Sequence, residues 1–183
     1  MSSWKKSILS VLLVILVLPL LFCNVDASKA SKAKKEKKAY KKYVSAHKVS
    51  RPYSPEMKNP DYKIVDVNGD KIPELLFVNR KDYYLEVWTF RGGHMYRMFR
   101  DGIGKTGSFA YKKSKHLVGA IYMNTGGYDM YVYKAKKKKL KKTKTHLWWD
   151  GIDYSINNKK VKKKVLKKAW NKYKFTDPLW KIK

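Results

Sequence analysis

From residue 62 to about residue 156, short runs of branched and aromatic residues alternate with turn residues, and this punctuation admits little except antiparallel β-structure. Tyr62–Val67, Glu74–Asn79 and Tyr84–Phe90 predict three strands, the last leading through the hairpin signal Arg91-Gly92-Gly93 into His94–Arg100. Asp101–Gly107 carries three glycines and predicts a loop. Ser108–Lys112, Leu117–Met123, Tyr128–Tyr133 and a return strand from about Lys139 to Trp149 follow. Tyr154–Ile156 and Lys159–Val161 then predict a last small hairpin across Asn157-Asn158.

A weak repeat underlies this series. Glu74–Asn79 lies on Gly119–Asn124, Tyr83–Trp88 on Tyr128–Tyr133 and Met95 on Leu140, all at one offset of 45 residues. That period fits a four-stranded unit of the propeller-blade kind, and two such units cannot close a propeller. The expected fold class is therefore mainly β, a β-rich α+β domain. It is an antiparallel meander of two blade-like units, forming an open sheet or a small sandwich. Helical spacing of Tyr40, Tyr43, Val44 and His47 predicts a helix over 39–49. The stripe Val161, Val165, Leu166, Ala169, Trp170, Tyr173 predicts a second over 162–174. The polar run 28–38 predicts a lysine-rich disordered tail, and 39–183 a single domain with its sheet at 62–161.

The first 27 residues have the form of an export signal: Lys5 and Lys6, an apolar run from Ile8 to Phe22, then Val25-Asp26-Ala27 with cleavage expected after Ala27. The apolar run is short for a membrane span, which needs about 20 residues, and contains Pro19. Phe22 before Cys23 argues against a lipid anchor. Cleavage removes the chain's single cysteine, so stability must come from burial rather than disulfides. The formal net charge of +29 is carried almost wholly by lysine, a mobile point charge rather than a planar fork. For an exported monomer this points to diffuse attraction to an anionic cell-wall polymer or an anionic membrane surface, with no nucleic acid.

The sharpest local motif is Asp66-Val-Asn68-Gly-Asp70-Lys-Ile72-Pro-Glu74. Side-chain oxygens at its first, third, fifth and ninth places, with the Ile72 carbonyl, suit a hard cation such as Ca²⁺. Without metal the same residues make an Asx-type turn. The motif resembles the calcium loops of integrin-type FG-GAP and VCBS-like repeats. The run Tyr62–Asn79 is similar to a segment of small exported Gram-positive proteins that carry one such loop among tyrosine-rich hairpins. The resemblance implies a weak extracellular Ca²⁺ site at Asp66, Asn68, Asp70, Ile72 and Glu74. Lys71 departs from the glycine those loops carry at the sixth place, where the backbone takes φ > 0.

No catalytic signature appears. His47, His94, His116 and His146 are scattered, Ser114 has His116 nearby but no acid to orient it, and nucleotide motifs are absent. The expected role is a secreted or cell-surface basic binding protein without catalysis. Its alternatives are a carbohydrate hydrolase using Asp66, Asp70 or Glu74 and a membrane-active cationic protein. Expected contacts for a polyanion or ligand are Lys162, Lys163, Lys164, Lys167 and Lys168. Trp148 and Trp149 are a candidate stacking pair, with core packing as the competing reading.

Overall fold

The computed structural model describes residues 31, 33–47, 61–102, 106–124, 126–176 and 182. The export signal lies outside the described residues. The chain divides into two compact units, residues 1–38 and 39–183. In the first, residues 31 and 33–38 are helical; the helix α1 runs on to residue 46. This corrects the expectation of a disordered tail over 33–38. A run of lysine, alanine and glutamate is too polar to bury, but all three are strong helix formers.

In the second unit every strand pairs antiparallel. β1 (Asp61–Val65), β2 (Glu74–Asn79), β3 (Tyr84–Arg91) and β4 (His94–Gly102) form one sheet in chain order. β5 (Gly107–Lys112), β6 (Leu117–Asn124), β7 (Gly127–Lys136) and β8 (Lys139–Trp149) begin a second sheet in the same way. β9 (Tyr154–Ile156) and β10 (Lys159–Lys160) extend it on one side and β11 (Lys174–Phe175) on the other. Between β10 and β11 lies α2 (Lys163–Trp170). The protein is thus mainly β, as its punctuation predicts. The second helix stops at Trp170 rather than 174, because Lys174 and Phe175 pair with Tyr111 and Ala110 of β5.

The two sheets pack face to face. Leu76, Val78, Leu85 and Val87 of the first sheet share one core with Phe109, Val118, Ala120 and Tyr133 of the second. Alternation along each strand sends the neighbouring residues to the far sides. Leu75, Phe77 and Phe90 pack with Tyr40 and Val44 of α1. Ile121, Met130, Val132 and Leu147 pack with Leu166 and Trp170 of α2. The layers run helix, sheet, sheet, helix.

The 45-residue repeat is realised strand for strand, β1–β4 on β5–β8, and each repeat carries a register shift of the β-bulge kind at the matching place. One lies between Val87 and Trp88, the other between Tyr131 and Tyr133. Matching residues, however, face opposite environments. Leu76, Leu85 and Val87 lie between the sheets, whereas Ile121, Met130 and Val132 lie under α2. Leu75 and Phe90 lie under α1, whereas Ala120 and Ala135 lie between the sheets. The two four-stranded repeats are therefore stacked in the same sense, the front of one against the back of the other, and each helix covers the sheet face left open at one end.

Candidate functional site

The Asp66–Glu74 turn joins β1 to β2 and is braced from within. Asp66 accepts the amides of Gly69 (2.7 Å) and Lys71 (3.2 Å), Asn68 Oδ1 accepts that of Asp70 (2.9 Å), and Asp70 Oδ1 that of Ile72 (3.0 Å). These are stacked Asx-type turns. Lys71 takes φ +68°, the left-handed backbone that the motif implies at its sixth place. Arg91, from the β3–β4 hairpin, pairs with the other Asp70 oxygen.

Glu74 lies inside, with no exposed surface. Its carboxyl accepts the Val67 amide (2.9 Å), the Asn68 side-chain amide (2.8 Å) and the Thr89 hydroxyl (3.1 Å). Burial pushes its pKa up to about 8, with the Asp70 and Asp66 charges adding to the rise while the Val67 amide and Thr89 hydroxyl oppose it. Such a carboxyl is enclosed and holds the turn together from within. Among the described residues, no three carboxylate, histidine or thiol side chains are grouped to hold a metal. As arranged, the turn does not present an open cation cage. Glu74 points inward, and Asp70 would have to leave Arg91.

The place of His116 beside this turn has no local signal in the sequence, since 49 residues separate it from Val67. It follows a short 3-10 turn (Lys113–Lys115) in a left-handed conformation, φ +54°. Its imidazole packs on the Asp66–Glu74 turn: Nδ1 lies 3.3 Å from the Val67 carbonyl oxygen. A Cβ on Gly69 would come within 2.4 Å of His116 Cε1, so the turn needs glycine there for space as well as for its φ of +81°.

His116 also lines two cavities. One, of about 930 Å³, is walled by Asn68, Arg91 and the whole β7–β8 hairpin from Lys134 to Lys141. The other, of about 640 Å³, is walled by Val65, Tyr111, Lys112, Lys113, Lys172 and Lys174. Lysines from three separate stretches of chain thus converge around one histidine. The hairpin register sets Lys134 opposite Lys141 and Lys136 opposite Lys139, like charges side by side on neighbouring strands.

The expected lysine contacts on α2 (Lys162, Lys163, Lys164, Lys167 and Lys168) are exposed, as their side of the stripe requires. They wall neither cavity. The structure separates the tryptophan pair. Trp149 stacks on Tyr128 (4.5 Å between ring centres) and meets Trp170 edge-on, within the core under α2. Trp148 points to the opposite face, because adjacent strand residues always do.

No protein-family model matches this chain, and no curated protein or solved structure matches it. The likeness to exported FG-GAP and VCBS-like proteins therefore rests on the residues of the turn and their order along the chain.

Proposed function

We propose that this is an exported, envelope-associated binding protein that captures an anionic polymer on the lysine-walled cavities around His116. The observation that carries this reading is the convergence of Lys112–Lys113, Lys134–Lys141 and Lys172–Lys174 on one place in the fold. Like-charged cross-strand pairs weaken a hairpin, and a bound polyanion relieves that repulsion. Binding of this kind is electrostatic, long-ranged and steeply salt-dependent.

Changing Lys139 and Lys141 together to glutamate tests it with two opposed readouts. Two repelling pairs become attracting pairs, so the hairpin gains about 0.2–1 kcal/mol per pair. Retention on purified cell wall should fall at the same time. The slope of log affinity against log salt should flatten by roughly 1.5, as two anion contacts are lost. Unchanged retention at unchanged salt dependence would refute the assignment of the hairpin as the contact surface.

A weak Ca²⁺ site at the Asp66–Glu74 turn is carried as a second part of the proposal. The turn keeps the left-handed Lys71 and the inward-facing amides of such loops, but a cation must win Asp70 from Arg91. Calorimetric titration with Ca²⁺ is expected to give a heat in the millimolar range that vanishes in Asp66→Ala. The same heat in that variant would remove the metal from the account.

A further inference from the structure

We propose that the inner face of the seven-stranded sheet carries a second, separate binding site, for a short neutral oligosaccharide stacked on Trp148. The proposal does not rest on the polyanion reading. It rests on a row of side chains that the strand register lines up. Tyr122 of β6 lies directly opposite Asp129 of β7, Asp129 opposite Trp148 of β8, and Trp148 opposite Ser155 of β9. Strand alternation turns all four away from the α2 face, where their neighbours Ile121, Met130, Leu147, Trp149 and Ile156 are packed. Four strands at about 4.8 Å spacing make the row about 14 Å long; its Tyr122 end packs against the core between the sheets, and Asp129, Trp148 and Ser155 carry it on toward the β9 side.

The polar partners are fixed in place. Tyr122 donates its hydroxyl to Asp101 (2.6 Å) at the far end of β4. His146, in the next row, lies 2.6 Å through Nε2 from Asp129, and its ring stacks on Tyr131 at 4.4 Å. Lys142 sits over the Tyr131 ring (4.2 Å from its centre), so that ring is already covered. Trp148 differs. Among the described residues nothing stacks on its ring and nothing accepts its indole N–H, and it is only half-buried. A half-buried indole with no ring or hydrogen-bond partner among the described residues, beside the Ser155 hydroxyl and the His146-paired Asp129 carboxylate, has the chemistry of a sugar subsite: the ring takes the C–H face, Ser155 and the remaining lone pairs of Asp129 the hydroxyls. Asp129 and Asp101 make the row unfavourable for phosphate, which sets it apart from the lysine-walled cavities and argues against a stacked nucleic-acid strand.

The test is calorimetric titration of the protein with a tetramer of glucose and, separately, a tetramer of N-acetylglucosamine, at low and at high salt. At least one should bind with little salt dependence. Affinity should drop tenfold or more in Trp148→Ala and in Asp129→Asn, recover in part in Trp148→Phe, and stay unchanged in the doubly substituted Lys139→Glu/Lys141→Glu protein. In the unsubstituted protein, the indole N–H resonance that disappears in Trp148→Phe should move during titration, a readout independent of whether the alanine variant folds. No heat and no resonance shift with either tetramer overturns the proposal. So does equal binding to Trp148→Ala, or a shift produced only by an oligonucleotide. Salt-sensitive retention on cell wall could survive any of these failures, so the two readings fail separately.

Discussion

Glu74→Ala is expected to lower the stability of the protein by about 3 kcal/mol, measured as a shift in the denaturant midpoint at constant slope. The side chain is fully enclosed, and its removal orphans three donors at once: the Val67 amide, the Asn68 side chain and the Thr89 hydroxyl. The same residue makes stability depend on pH. Its carboxyl is raised to about 8 in the folded protein, against about 4.3 in an unfolded chain. Between those values the folded state holds a proton that the unfolded state has released. Stability therefore falls as pH climbs through this window and is flat below and above it. A shift of this size corresponds to about 4–5 kcal/mol across the window. The Thr89 hydroxyl can accept as well as donate, so the neutral acid remains bonded. Glu74→Gln should abolish the slope while keeping the shape of the side chain. A slope that persists in the glutamine variant would place the titrating group elsewhere.

Trp170→Ala is expected to cost about 3–5 kcal/mol. The residue has no exposed surface, stacks on Phe175 and meets Trp149 edge-on. α2 is only eight residues long and has no side-chain cap at its start. A helix so short is not stable by itself, and Leu166 and Trp170 are what hold it to the sheet. Losing the indole should release the helix and uncover Ile121, Met130, Val132 and Leu147. A dye specific for exposed apolar surface should bind the variant under conditions where the parent stays dark. A fully folded variant with no dye signal would show that the helix is held by other means.

Much of this architecture is legible in the sequence. Branched and aromatic runs separated by Gly-Gly, Thr-Gly-Gly and Asn-Asn located the strands, because turn chemistry is local. The offset of 45 residues located the two units. What the sequence left open was how the units meet, since an open sheet and a sandwich bury the same alternating residues. The start of α1 is hidden because lysine, alanine and glutamate leave no apolar stripe there, although all three are strong helix formers. β11 was missed because two residues, Lys174 and Phe175, carry no pattern. At the site, the internal bracing of the Asp66–Glu74 turn was legible from its Asx residues. The inward turn of Glu74 and the pairing of Arg91 with Asp70 were not, since both depend on residues from β3 and the β3–β4 hairpin. His116 lies 49 residues from the Val67 carbonyl it approaches, and no local pattern reports such a meeting. The expectation of Trp148 and Trp149 as one stacking pair is corrected by strand alternation, which sends adjacent residues to opposite faces, with Trp149 in the core under α2.

Two repeats laid front to back do not finish themselves, since whatever surface accepts the second unit is presented again on its far side. Such an arrangement has no internal stopping point, and in a protein without closure it would recruit further copies end to end. The two helices are the terminators. A chain that has lost either one is expected to grow into fibres rather than simply unfold, and light scattering of a variant with a displaced α2 would reveal linear growth. The lysine-rich outer faces of these helices then acquire a second meaning. Besides attracting partners, they keep the finished ends of the stack from meeting one another.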